Sequence, residues 1–475
     1  MSQIKIVATI GPISNNAAAL RALSDAGMNV ARLNGSHNSL DWHAETIRLI
    51  RDTLPETPIL LDIPGRKIRT TDLDQEPCFA IGESIVLTTD TNHDGREKVP
   101  VNYAHLHQDI KPNAVVYADD GTIRFTVTGV DGQDITCRAE TAGTLKSRKG
   151  INVPGLTFRT ELITDRDRHL IQFARDNEVD FVGISFVESS QHVDAIRALT
   201  GGNWPRIVSK VENQAGLDNV DDVVGATDVV MIDRGDLSVE TNLENLAIFQ
   251  KEILGTGRRH GKPVIVATEM LHTMIENPFP TKAEVSDISN TVLDGASATM
   301  LSGETAVGAH AVEAVATMRR VSDAALTHLQ SQNENVSSRE SQTVAQSVGQ
   351  AISHLCQSLP ISKIIAVTIS GFAAQVVASY LPRQPIIAVS NDRFAARSFN
   401  IIPGTTGLFA DIPFSKTSTD HIPACLKLLW HRALIEDDDM ILVTALAYPR
   451  TGNRMNLIET HVVGDLAQTL GWERH

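Results

Sequence analysis

At 475 residues, 42% hydrophobic and 21% charged, the chain has ample apolar content for a large core and a length suited to roughly three domains. A formal net charge of -15 argues against nucleic acid or an anionic membrane as partner. Four scattered cysteines (Cys78, Cys137, Cys356, Cys425) with no CxxC pair exclude a zinc ribbon or disulfide framework. With no signal-peptide pattern at the start and no apolar run near the ~18 residues that span a bilayer, a cytoplasmic protein is expected.

Along the chain, short apolar runs rich in β-branched residues alternate with amphipathic stretches. The runs are Ile4–Ile10, Met28–Leu33, Pro58–Asp62, Val179–Phe186, Arg206–Val211, Val229–Asp233, Pro263–Ala267 and Ala298–Leu301. Continuous apolar runs suit parallel strands buried on both faces. Helices are expected between them at Asn16–Ala26, Trp42–Thr53, Asp165–Asp176 and Leu243–His260. Eight strands alternating with helices is the count of a (β/α)₈ TIM barrel, expected in two parts, residues 1–70 and 155–330. The intervening 71–154 has no helical period. Its β-like runs (Ser84–Thr89, Ala114–Tyr117, Ile123–Val127, Ile135–Arg138) are separated by Asp/Gly/Asn turns, which predicts a small all-β lid domain inserted over the barrel's C-terminal face. A helix near Ala311–Leu329 precedes a polar linker, Ser331–Ser341. Residues 342–475 read as a doubly wound α/β domain, with a helix at Val344–Ser358 and strands at Lys363–Thr368, Pro385–Val389 and Met440–Val443.

Barrel chemistry sits at the C-terminal ends of strands, where this chain is polar. Following the runs in order come Thr9; Arg32, Asn34, Ser36 and His37; Asp62, Lys67 and Arg69; Lys210 and Glu212; Arg234 and Asp236; Thr268 and Glu269; Ser302 and Glu304. Glu212 and Asp236, on adjacent strands, make a carboxylate pair for Mg²⁺. Lys210 lies two residues before Glu212 and faces the same side, suited to stabilising charge on a phosphoryl group. The backbone at Gly235 and Asp236 opens a helix and offers N–H groups to an anion. Singly, each feature has a blander reading: Lys-x-Glu as a surface pair, Arg32 as a rim salt bridge, Thr268 as a strand-end cap, His37 as a loop residue. Their concurrence at one end of most strands favours a site.

At these residues the sequence resembles the pyruvate kinase family over nearly its whole length. The matching segments are KIVATIGP (Lys5–Pro12), AGMNVARLNGSH (Ala26–His37), LLD…KIRT (Leu60–Thr70), DDGTI (Asp119–Ile123), KSRKGINVPG (Lys146–Gly155), ISFV (Ile184–Val187), IVSKVENQAGLDN (Ile207–Asn219), RGDLSVE (Arg234–Glu240) and ATEMLHTMIENPFPTKAEVSDISNTVLDGA…MLSGETAVG (Ala267–Gly308). The resemblance implies transfer of a phosphoryl group from phosphoenolpyruvate to ADP, giving pyruvate and ATP in glycolysis, by a homotetramer with a mobile lid. It implies Lys210 as the transfer lysine, Glu212 and Asp236 as Mg²⁺ (or Mn²⁺) ligands, and Arg32 on the substrate phosphate. The Gly235 and Asp236 backbone and the Thr268 hydroxyl would hold the substrate carboxylate, with Thr268 where the enolate is protonated. Asn34, His37, Arg69 and Lys149 would contact the nucleotide, and Asn34, Ser36 and Asp62 match side-chain ligands of a monovalent cation.

The departures are as specific. Gly35 replaces the usual phenylalanine. Asp233 stands before Arg234-Gly235-Asp236, where alanine is usual, and unless it pairs with Arg234 or points away it is expected to weaken anion binding. Glu269 replaces glutamine. Lys67 replaces the glutamate of K⁺-dependent members, which implies activity without K⁺. The loop Thr368-Ile369-Ser370-Gly371-Phe372-Ala373 lacks the lysine, arginine and final serine of the family's sugar-phosphate effector loop. Two further readings follow from these changes. One is a paralogue using the same metal and enolate chemistry on another substrate, as a β-keto acid decarboxylase or on another enol phosphate. The other is a non-catalytic metabolite sensor, against which retention of Lys210, Glu212, Asp236, Thr268 and Arg32 argues.

Overall fold

The computed structural model describes all residues except 1–2, 120, 157, 160, 203, 333–342, 416–417, 447–454 and 474–475. Eight parallel strands close into a barrel: β1 Lys5–Thr9, β2 Val30–Asn34, β3 Ile59–Ile63, β4 Phe181–Ile184, β5 Arg206–Val211, β6 Val229–Asp233, β7 Val264–Ala267 and β8 Ala298–Leu301. Each follows its predecessor around the ring, and β8 pairs back onto β1 through Lys5↔Ala298 to Ala8↔Leu301. The strands are apolar throughout because one set of side chains fills the barrel and the other packs under the helices. Val7, Val30, Leu60, Phe181, Val208, Met231, Ile265 and Met300 belong to the inner cluster, and Ile6, Leu33, Leu61, Val182, Ile207, Ile232 and Val266 to the outer.

The helices start and stop where local chemistry dictates. Asn16 and Ser39 cap Ala17–Ala26 and Leu40–Thr53 by accepting from backbone N–H groups in the first turn. Thr164 with Asp167 and Thr281 with Glu284 form reciprocal capping boxes. The expected helix from Leu243 divides into a 3₁₀ turn, Leu243–Asn245, and an α-helix, Leu246–His260, ended by Gly261 in the left-handed conformation.

Between β3 and β4 the chain forms a seven-stranded sheet, in spatial order Ile68–Arg69, Gly150–Asn152, Val115–Ala118, Ile123–Asp131, Asp134–Ala139, Ser84–Thr88 and Val99–Pro100. Its core is its own, including Leu87, Val116, Phe125, Val127, Ile135 and Cys137. The sheet reaches back to Ile68, before the expected start at 71. The inserted unit leans over the C-terminal end of β6, where Asn152 donates to Glu240 (2.8 Å).

The C-terminal unit is a five-stranded sheet ordered Thr405–Phe409, Ile386–Ser390, Lys363–Val367, Met440–Ala445 and Leu457–Val462, the last antiparallel. The expected linker, Ser331–Ser341, lies from residue 333 onward outside the described residues. This unit meets the barrel's opposite, N-terminal end. There Asp180, fully buried, holds Arg51 (2.6 Å) and Arg397 (2.8 Å), and Lys5 donates to the Thr405 carbonyl (2.6 Å). Arg206, at the start of β5, lies over Trp204 and Phe399 and donates to the Ser370 carbonyl (2.7 Å).

Candidate active site

Strand alternation decides what faces the barrel interior. In β5 the inward set that contains Val208 continues to Lys210 and then Glu212. The same parity carries Val30 to Arg32, Leu60 to Asp62, Phe181 through Gly183 to Ser185, and Met231 to Asp233. Apolar residues thus fill the lower barrel and charged ones its mouth.

The Lys210 ammonium is the hub. It lies 2.7 Å from Glu212, 3.2 Å from Asp233 and 3.3 Å from Asp62, and donates to the Ser185 hydroxyl at 3.0 Å. Lys210 is 4% exposed, Glu212 0% and Asp233 7%. Burial alone would push the lysine down; Asp62, Glu212 and Asp233 outweigh it and hold it well above its ordinary value, fully charged. Burial, with Asp233 and Asp236 nearby, pushes Glu212 up to about 8, while Lys210 opposes the rise. Asp233 goes the other way: despite burial, Lys210, Lys67 and Arg32 draw it down to about 2.

Carboxylate oxygens of Glu212, Asp233 and Asp236 all lie within 4.8 Å of one another. Hard oxygen donors in such a group suit a divalent cation of the Mg²⁺ type. A cation already stands there: the Lys67 ammonium sits 2.6 and 2.8 Å from the two oxygens of Asp236. The donor set therefore fits the metal that the sequence implies.

Arg32 donates to Asp62 through Nε (3.1 Å) and also through Nη2, and to the Thr9 hydroxyl through Nη1 (3.0 Å). Its remaining N–H groups are available to an anion at the mouth. Gly235 N–H donates to the Thr268 hydroxyl (2.9 Å), which joins those two positions. His37 is lowered by burial and then by Arg69, Arg32, Arg166 and Arg148, so it sits in a basin of positive charge within an acidic protein. Asn34 accepts from the Ser36 N–H (3.0 Å), and Asp62 Oδ1 is buried without a hydrogen-bond partner. Lys149, at the base of the inserted unit, is paired with Asp119 (2.7 Å), and Arg69 beside it donates to the Arg148 carbonyl (3.0 Å). Arg32, Asp62, Lys210, Glu212 and Asp236 thus form one contiguous group with Gly235 and Thr268 at its edge, while Arg69 and Lys149 stand off on the lid side.

Two expectations are revised. Asp233 does not pair with Arg234, whose guanidinium turns away to Asp287 (2.7 Å) and the Thr268 carbonyl (2.8 Å); Asp233 faces Lys210 instead, so its charge is offset. Lys67, expected to stand in for a monovalent cation, pairs with Asp236. Gly35 is set by the backbone: a Cβ there would lie 2.7 Å from the Asp62 carbonyl oxygen, leaving no room for the usual phenylalanine. Glu269 is exposed at the rim. Sequence reasoning missed Asp233 as part of the carboxylate group, although Asp233-x-x-Asp236 puts the two acids one helical turn apart.

Fold and site together define a (β/α)₈-barrel phosphotransferase. The family model described as "Pyruvate kinase, barrel domain" matches residues 1–315, and that described as "Pyruvate kinase, alpha/beta domain" matches 346–461. The pyruvate kinase of Bacillus licheniformis is 36% identical over 98% of this chain and 81% of its own length, and that of Geobacillus stearothermophilus 36% over 97% and 80%. The crystal structure of a pyruvate kinase from Cryptosporidium parvum superposes with a TM-score of 0.85 at 30% identity, covering 97% of this chain and 96% of that one. The chain belongs to the pyruvate kinase family, and its reaction is transfer of a phosphoryl group from phosphoenolpyruvate to ADP, giving pyruvate and ATP. Among the described residues no helix is long and apolar enough to cross a membrane.

Proposed function

We propose that the residues at the barrel mouth divide this reaction as follows. Glu212 and Asp236 hold a divalent cation, Mg²⁺ or Mn²⁺, which when bound neutralises charge on the phosphoryl oxygens. Lys210 stabilises the charge that spreads over the transferring group, and Arg32 orients the substrate phosphate through its unused N–H groups. The Gly235 and Asp236 backbone N–H groups and the Thr268 hydroxyl hold the substrate carboxylate, and Thr268 stands where a proton reaches the enolate carbon. Asn34, His37, Arg69 and Lys149 take the nucleotide, with Lys149 exchanging Asp119 for a phosphate as the lid closes. The observation that carries the reading is the buried Lys210 ammonium among Glu212, Asp233 and Asp62 at the C-terminal ends of their strands. No folding requirement accounts for a lysine and three acids in a barrel mouth, since an apolar filling is generally no less stable.

We infer further that activity needs Mg²⁺ but not K⁺, because Lys67 already brings a positive charge into the site. The orphaned Asp62 Oδ1 is the counter-argument, as it suits a cation at Asn34, Ser36 and Asp62. A cytoplasmic homotetramer belongs to the same proposal; exposed Leu243, Ile248 and Phe279 are the kind of surface an assembly covers. The test is pyruvate formation from phosphoenolpyruvate and ADP, with and without Mg²⁺. Turnover unaffected by thorough chelation would overturn the metal assignment, and sedimentation of the purified chain checks the assembly.

A further inference from the structure

We propose that Asp233 is a third carboxylate ligand of the divalent cation and that Lys67 is its counter-charge. This rests on the reading that Glu212 and Asp236 bind such a cation. Asp233 ends β6 with its side chain inward, Asp236 follows one turn later on the helix Arg234–Glu240, and Glu212 stands just past the end of the neighbouring β5. Ligand atoms around a cation at about 2.1 Å lie roughly 3–4 Å apart, so oxygens already within 4.8 Å need only a small closure to share one ion.

The three acids are served by two ammonium groups. Lys210 holds Glu212 and Asp233, and Lys67 holds both oxygens of Asp236 as a chelated cation would. The two departures from the family pattern balance in sign. Aspartate in place of alanine at 233 adds one negative charge, and lysine in place of glutamate at 67 removes one negative charge and adds one positive. The mouth gains one net positive charge, which lets a third acid be buried there without making the site more negative. To hold a divalent cation, Asp236 would exchange Lys67 for it, and Asp233 would supply a third carboxylate oxygen.

The experiment is Mn²⁺ binding to the full-length, substrate-free protein, with free Mn²⁺ read by electron paramagnetic resonance. The wild type is expected to bind one ion per chain. Asp233→Asn and Asp233→Ala are expected to weaken it by at least the 10–100-fold typical of lost support at a metal site. Lys67→Met is expected to tighten it, because no ammonium competes for Asp236. Unchanged affinity in both Asp233 variants overturns the third-ligand assignment and leaves Asp233 as a partner of Lys210 alone. Unchanged or weaker affinity in Lys67→Met overturns the counter-charge. No stoichiometric Mn²⁺ binding by the wild type overturns the metal reading itself and this proposal with it. Circular dichroism on each variant confirms that folded protein is compared, and Asp233→Asn keeps the shape of the native side chain.

Discussion

Replacing Lys210 with methionine keeps the length of the side chain and removes its charge. In the folded protein the ammonium is the nearest cation to Glu212 at 2.7 Å and to Asp233 at 3.2 Å, and it shares Asp62 with Arg32. Loss of one preorganised charge at a transition state costs about 10²–10³ in rate, and a group touching the transferred phosphoryl unit is expected at or beyond the upper end. Stability responds separately. Breaking a buried pair typically costs about 3–5 kcal/mol. Here Arg32 remains on Asp62 and Lys67 on Asp236, so two of the acids keep a cation. The loss should therefore fall near the lower end, about 3 kcal/mol, which in a protein of this size moves the melting temperature by only several degrees. The assay is coupled pyruvate release at saturating phosphoenolpyruvate and ADP, beside a thermal melt of the same sample. A folded Lys210→Met enzyme with turnover within threefold of wild type would refute the argument.

Initial rates in sodium, potassium and tetramethylammonium buffers of equal ionic strength should be alike, and Lys67→Glu should make the enzyme depend on K⁺; collapse of the wild type without K⁺ would sink that idea. Fructose 1,6-bisphosphate should not shift the substrate saturation curve, because Ile369, Phe372 and Ala373 offer no charge to a phosphate; a leftward shift abolished by mutating this loop would contradict the expectation. Burial pushes Glu240 up to about 7, with Asp236 adding to the rise against the Asn152 hydrogen bond and Lys67. An acid raised in this way is neutral in the folded chain while ionised in the unfolded one, so its contribution is full below the ordinary value of 4.5 and is lost as pH rises through about 7. Glu240→Gln should therefore gain on the wild type by up to about 3 kcal/mol between pH 5 and 8, and parallel melting profiles across that range would rule this out.

The barrel was legible because its strands are uninterrupted apolar runs and its chemistry clusters just beyond them. The same runs predicted β5, β6 and β8 to the residue. What was not legible had no such period. Cys78–Phe79, Val99–Pro100 and Gly143–Thr144 are two-residue strands whose existence depends on partners already in place. Thr405–Phe409 carries a glycine mid-strand, and Leu457–Val462 is an edge whose polar residues face outward. At the site, Lys210, Glu212, Asp236 and Arg32 were readable from position alone. The contact of Lys67 with Asp236 was not, since it joins residues 169 apart through the angle at which the inserted unit leaves the barrel. Asp233 was read against Arg234, its neighbour in sequence, when strand parity turns it toward Lys210 on the next strand.

The position of the inserted sheet bears on how the barrel is assembled at all. Strands β3 and β4 are hydrogen-bonded neighbours, Asp62 beside Gly183, yet the chain between them is long enough to form a domain. Closing so long a loop directly is entropically costly, although the cost grows only logarithmically with length. The insert lowers it by bringing its own two ends together: Arg69 pairs with Gly150, and Ile68 with Ile151, antiparallel. Once that clasp has formed, the connection between β3 and β4 is effectively short, which lowers the entropic cost of pairing them. Both strands of the clasp emerge from the same rim, so a tilt of the insert would unpair no barrel strand. A short turn grafted between Lys67 and Asn152 should for the same reason leave a ring that still closes.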